Sequence, residues 1–142
     1  LRDEPVSVVV TIGQDNDPAA LGAQPASVAV HRYVPQATLL PHCSAAVVHG
    51  GAGTVLGSLA AGVPLLCLPQ GADQYGNADR VVAAGAGVTL LRHQVAPGAI
   101  RAAMTDLLDE PGYRQAARRI ADEIAAMPAP AEALAAIMRL IA

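Results

Sequence analysis

His49-Gly50-Gly51-Ala52-Gly53-Thr54 is the stretch of this chain best equipped for chemistry. Glycines let a backbone turn tightly and let a ligand approach it closely. A chain that leaves a strand, turns on glycine and enters a helix presents the helix's unpaired N–H groups and the positive end of its dipole. Such a corner captures a phosphate or a diphosphate. Thr54 adds a hydroxyl and His49 an imidazole donor. The plain alternative is a tight strand-to-helix turn that holds nothing. Clustered glycine weakens a helix start, which argues against that alternative unless something else requires the glycines.

Two known phosphate loops can be compared with this corner. The Walker pattern, GxxxxGK followed by Ser or Thr, fails because the chain contains no lysine. The dinucleotide fingerprint GxGxxG is half met: Gly51 and Gly53 supply its first glycines, Leu56 stands at the third, and Gly57 comes one residue late. Asp73 falls roughly 20 residues on, where a ribose-binding acid is expected, but it lies beyond Pro69 rather than at the end of a strand. An oxidoreductase's dinucleotide domain is therefore a competing reading. A catalytically silent nucleotide-binding module is a third.

The elements that must position this corner follow from the apolar pattern. Val6–Ile12, Ser27–Val34, Ala45–His49, Leu65–Leu68 and Gly87–Leu91 read as strands, bounded by Pro and Gly. A short helix is predicted over Gln36–His42, and longer ones over Thr54–Ala61 and Gln74–Ala84. Gly62-Val63-Pro64 stops the first of these longer helices. The last third is helical. Its stripes are Ile100, Met104, Leu107 and Leu108; Tyr113, Ala117, Ile120, Ile124 and Met127; and Leu134, Ile137, Met138 and Ile141, all expected to face the core. Apolar strands alternating with helices imply a Rossmann-like α/β fold, a parallel sheet covered on both faces. Ligands bind such sheets at the carboxyl ends of the strands.

Composition narrows the function classes. The 142 residues suit one domain, and a charged fraction of 15% with 53% hydrophobic residues excludes a disordered tail. The net charge of −3 comes without any block of like charge, so no grip on nucleic acid or anionic lipid is expected. No apolar run approaches the roughly 18 residues of a membrane span, and no signal segment opens the chain. Cys43 and Cys67 have neither metal-ligand nor disulfide-framework spacing and read as small buried hydrophobes, which suits a reducing cytoplasm. The absence of Lys, Phe and Trp beside abundant Ala, Gly, Pro and Arg matches the bias of a GC-rich coding genome, such as an actinobacterium's. An apolar run begins right after Pro5 with no strand-helix unit before it, which suggests half of something larger.

Five pieces in order resemble glycosyltransferase family 1, most closely the bacterial enzymes that glycosylate polyketides and other antibiotics. They are Val34-Pro35-Gln36 through Leu39-Leu40-Pro41-His42, His49-Gly50-Gly51-Ala52-Gly53-Thr54, Ala61-Gly62-Val63-Pro64, Pro69 to Ala78, and Gly85-Ala86-Gly87. The resemblance covers nearly the whole chain. It implies a GT-B architecture of two Rossmann-like domains, with residues 1–142 as the carboxyl-terminal, donor-binding domain without its first strand and helix.

By the same resemblance, the donor is a UDP- or dTDP-sugar, no cofactor or metal is needed, and the sugar passes with inversion to a hydroxyl of a small molecule held by the amino-terminal domain. That absent domain carries the catalytic base, so no catalytic residue is expected in this chain. Tyr33 would lie against the base and Gln36 would bond the nucleoside. His49, Gly50, Gly51, Gly53 and Thr54 would hold the diphosphate, and Asp73 and Gln74 the sugar hydroxyls. Asp73 has a competing role as the N-cap of the next helix. Many family members carry a ribose-binding Glu where Gly57 stands, and Gly57 cannot replace it.

Overall fold

The computed structural model describes Leu1 and residues 4–140. Among these residues five strands form: β1 (Val8–Thr11), β2 (Val28–His31), β3 (Ala46–Val48), β4 (Leu65–Cys67) and β5 (Gly87–Thr89). Six α-helices accompany them: α1 (Gln36–Leu39), α2 (Ala52–Ala60), α3 (Gln74–Ala83), α4 (Pro97–Asp109), α5 (Pro111–Ala125) and α6 (Pro130–Leu140). Single 3₁₀ turns lie at Pro18–Leu21, Leu40–His42 and Arg92–Gln94. Every strand pair among them is parallel; α2 and α3 make the crossovers β3–β4 and β4–β5, and a long loop with one 3₁₀ turn makes β1–β2. Pro97 and Pro111 open α4 and α5, where a missing N–H costs nothing.

The three-stranded sheet, in the order β3-β4-β5, carries the core. Successive side chains of β4 point to opposite faces. Leu65 and Cys67 join Val55 and Leu59 of α2, Ala78 and Val81 of α3, and Ala116 and Ala117 of α5. Leu66 points the other way, onto Ala103, Met104 and Leu107 of α4. At β4 this sheet is covered on both faces, and β4 is buried throughout, whereas Val47 of β3 is 44% exposed. Gly87 lets β5 close on β4: a Cβ there would stand 2.1 Å from the Leu65 carbonyl oxygen. Arg114 of α5 donates to the carbonyls of Ser44 and Cys43, tying the approach to β3 onto the helical layer.

Three expectations need correction. The strands do not make one sheet: β1 and β2 pair only with each other. Both alternate half-buried and exposed residues, with Val9 43% exposed, so one face of this pair lies uncovered. An apolar run predicts a strand but says nothing about whether a neighbour covers it. The apolar stripe of α6 is likewise outside the core, with Leu134, Ile137 and Met138 all more than half exposed, while Ile141 lies outside the described residues. Met127 falls just past the end of α5 and Leu108 on its helix's outer side, and both are exposed. The cysteines divide: Cys67 is fully buried and Cys43 only partly, and both thiols are free.

Candidate functional site

The corner forms as its sequence dictates. Strand β3 ends at Val48, Gly50 takes a φ of +91° that only glycine adopts easily, and α2 begins at Ala52. No side chain caps α2, and its first backbone bond runs from the Val55 N–H to the Gly51 oxygen at 3.0 Å. The N–H groups of Ala52, Gly53 and Thr54 lie ahead of that bond, at the positive end of the helix dipole. The imidazole of His49 folds back over Gly51, where a Cβ would meet its Nε2 at 2.6 Å.

The glycines are needed for different reasons. A Cβ on Gly50 would sit 3.0 Å from the Gln74 carbonyl oxygen, so this glycine lets the corner touch the start of α3. A Cβ on Gly53 would meet nothing within 4 Å. Nothing in the fold calls for glycine there, although glycine in a helix costs about 1 kcal/mol relative to alanine. A Cβ on Gly57 would make an ordinary contact with Leu40 at 3.8 Å, so close helix packing is not what this glycine serves.

The loop after β4 is brought to the same place. Ala72 holds a φ of +52°, in the left-handed region that few non-glycine residues occupy. Asp73 does not cap α3. Its backbone is already helical, and its carboxylate accepts from the Asn77 side-chain amide at 2.9 Å. The Asn77 amide also donates to the Gly50 carbonyl at 3.0 Å. Gln74 Oε1 accepts from the backbone N–H groups of Gln70 at 2.8 Å and Gly71 at 3.2 Å, so its oxygen braces its own loop and its amide nitrogen is left for other partners. On the other side, Gln36 Nε2 donates to Thr54 Oγ1 at 3.3 Å, joining α1 to α2.

The fold therefore gathers Gln36, His49, Gly50, Gly51, Gly53, Thr54, Asp73 and Gln74 into one cluster. Tyr33, just beyond β2, is 62% exposed. Asn77, which links the two loops, belongs to the cluster although the sequence left it outside the expected site; its spacing of four residues from Asp73 on a helix start was the available signal. The cluster lies open. A cavity of about 590 Å³ beside β5, lined by Asp79, Val82, Thr89 and Leu91 among others, includes none of these residues. Among the described residues, no group of three His, Cys, Asp or Glu side chains could hold a metal ion. No helix among them is long and apolar enough to cross a membrane.

Residues 3–140 match the family described as "Erythromycin biosynthesis protein CIII-like, C-terminal domain". The chain belongs to this family. It is 47% identical over 115 residues to the elloramycin glycosyltransferase ElmGT of Streptomyces olivaceus, covering 81% of this chain and 28% of that protein. It is 40% identical over 141 residues to 4'-demethylrebeccamycin synthase of Lentzea aerocolonigenes, covering 99% and 33%. The glycosyltransferase VinC, solved in complex with dTDP, superposes with a TM-score of 0.90 at 32% identity, over 97% of this chain and 35% of that one. The fold is that of a GT-B glycosyltransferase's carboxyl-terminal half, and this family member spans about a third of the length of the relatives it matches.

Proposed function

We propose that this domain binds the diphosphate of a nucleotide sugar at the Gly50–Thr54 corner and serves as the donor half of an inverting natural-product glycosyltransferase. The observation that carries this reading is Gly53, a helix-weakening glycine whose missing side chain leaves open space beside three uncapped N–H groups. The dTDP held by VinC supports a thymidine or uridine diphosphate as the nucleotide.

In this reading, Tyr33 stacks on the base, and Gln36 reaches the nucleoside while steadying Thr54. His49, Thr54 and the start of α2 face the diphosphate, and Asp73 with the free amide of Gln74 takes the sugar hydroxyls. As the glycosidic bond breaks, negative charge collects on the leaving diphosphate. Donors already aimed at that charge lower the barrier, because they need no reorganisation when it develops. The acceptor and the base that deprotonates it belong to an amino-terminal domain, and the reaction runs in the cytoplasm without a cofactor. We also propose that a strand-helix unit ahead of Leu1 completes the sheet; β1 and β3 each pair along one edge only, which leaves parallel edges for it.

The test is His49→Ala in the full-length protein. Both dTDP affinity and transfer rate are expected to fall by roughly tenfold or more, the loss of one hydrogen bond to a charged group. Unchanged affinity and rate would remove His49 from the mechanism. The 142-residue chain alone is expected to gain thermal stability from dTDP or UDP and to release no sugar.

A further inference from the structure

Asn77 spends both protons of its side-chain amide on the two loops of the site. One goes to the Gly50 carbonyl, 27 residues away in sequence, and the other to the Asp73 carboxylate one turn back. Gly50 is the left-handed pivot of the corner. Asp73 has no capping bond to its own helix, so Asn77 is what orients its carboxylate. Only a short side chain with two N–H groups on one nitrogen satisfies this geometry. Aspartate keeps the shape but has no proton to give when ionised, serine is too short, and leucine offers no polar atom.

We infer that Asn77 is a positioning residue that fixes the distance between the diphosphate corner and the carboxylate that meets the sugar. The inference rests on reading the corner as a diphosphate site. A ligand whose phosphate end is set by Gly50–Thr54 presents its sugar at a defined place, and Asn77 holds Asp73 at that place. A helix-stapling pair spaced four residues apart would contribute stability alone and would have no reason to bond Gly50 as well.

The experiment measures dTDP and dTDP-glucose binding by calorimetry in the full-length protein, with circular dichroism confirming that each variant is folded. Wild type, Asn77→Ala, Asp73→Ala and the double variant complete a cycle. Asn77→Ala is expected to weaken dTDP-glucose about tenfold and dTDP by no more than about threefold. In the Asp73→Ala background that sugar-dependent loss is expected to vanish. If Asn77→Ala fails to fold, Asn77→Asp takes its place, since it keeps the shape and removes both protons. An unchanged ratio of the two affinities, or strictly additive losses, would overturn the inference. Wild-type protein that binds neither ligand would instead remove the diphosphate reading, and this inference with it.

Discussion

The imidazole of His49 lies over Gly51 so closely that a Cβ there would stand 2.6 Å from Nε2. The ring can occupy that place only because position 51 has no side chain. Gly51 itself keeps a φ of −62°, which any residue adopts. Gly51→Ala should therefore displace the ring while the backbone stays put. Stability is expected to change by no more than about 0.5 kcal/mol. dTDP affinity is expected to drop about tenfold, as in His49→Ala. Calorimetric titration decides it: full affinity in Gly51→Ala would mean that the ring's position does not matter to the ligand.

Gly53→Ala should move two quantities in opposite directions. The added methyl meets no protein atom within 4 Å and improves the helix, so unfolding should become harder by up to about 1 kcal/mol. The same methyl enters the space assigned to the diphosphate, so dTDP affinity should fall more than tenfold. A variant that is more stable and binds equally well would show that no ligand uses that space.

Gly87→Ala tests the core and not the site. Its methyl would press on the Leu65 carbonyl at 2.1 Å and on Val81 Cγ1 at 2.8 Å, both in the buried core. Overpacking of this kind should cost about 3 kcal/mol. In urea, the midpoint should fall with the slope unchanged. A wild-type midpoint would mean that β5 can shift freely against β4.

Burial pushes the Cys67 thiol from 9.0 up to about 11. Above pH 9, the unfolded chain releases this proton and the folded protein keeps it. The thiol's contribution to stability is therefore complete below pH 9 and is lost as pH rises toward 11. Denaturation curves across that window should show stability falling with pH, and Cys67→Ala should flatten the slope. The half-buried Cys43 should react with a thiol reagent in the folded protein well before Cys67 does.

The corner was legible because its signals are local: a β-branched run, a glycine pivot and a helix start within about ten residues. The parallel pairing was legible from a longer pattern, apolar strands alternating with helices along the chain. What the sequence did not disclose depends on neighbours. Val9 and Val47 look as apolar as Leu66, yet they are exposed because no layer covers them. The stripe through Leu134 and Met138 predicts the helix α6 and not the fate of its face. Asp73 has the residue type of a helix cap, but its φ of −74° and ψ of −6° place it inside the helical region, where its side chain turns to Asn77. Gln74 was legible as a polar residue of the loop, while the commitment of its oxygen to Gln70 and Gly71 appears only once the loop is folded.

The division of the strands into separate ladders has a mechanical consequence. Tyr33 follows the two-stranded ladder, whereas Thr54 and Gly53 are anchored on the three-stranded one. A nucleotide that stacks on the first while its phosphates rest on the second works as a cross-brace between them. Saturating ligand should then make β1 and β2 exchange their amide protons as slowly as the rest of the domain, so that substrate occupancy can be read as rigidity far from the phosphate itself.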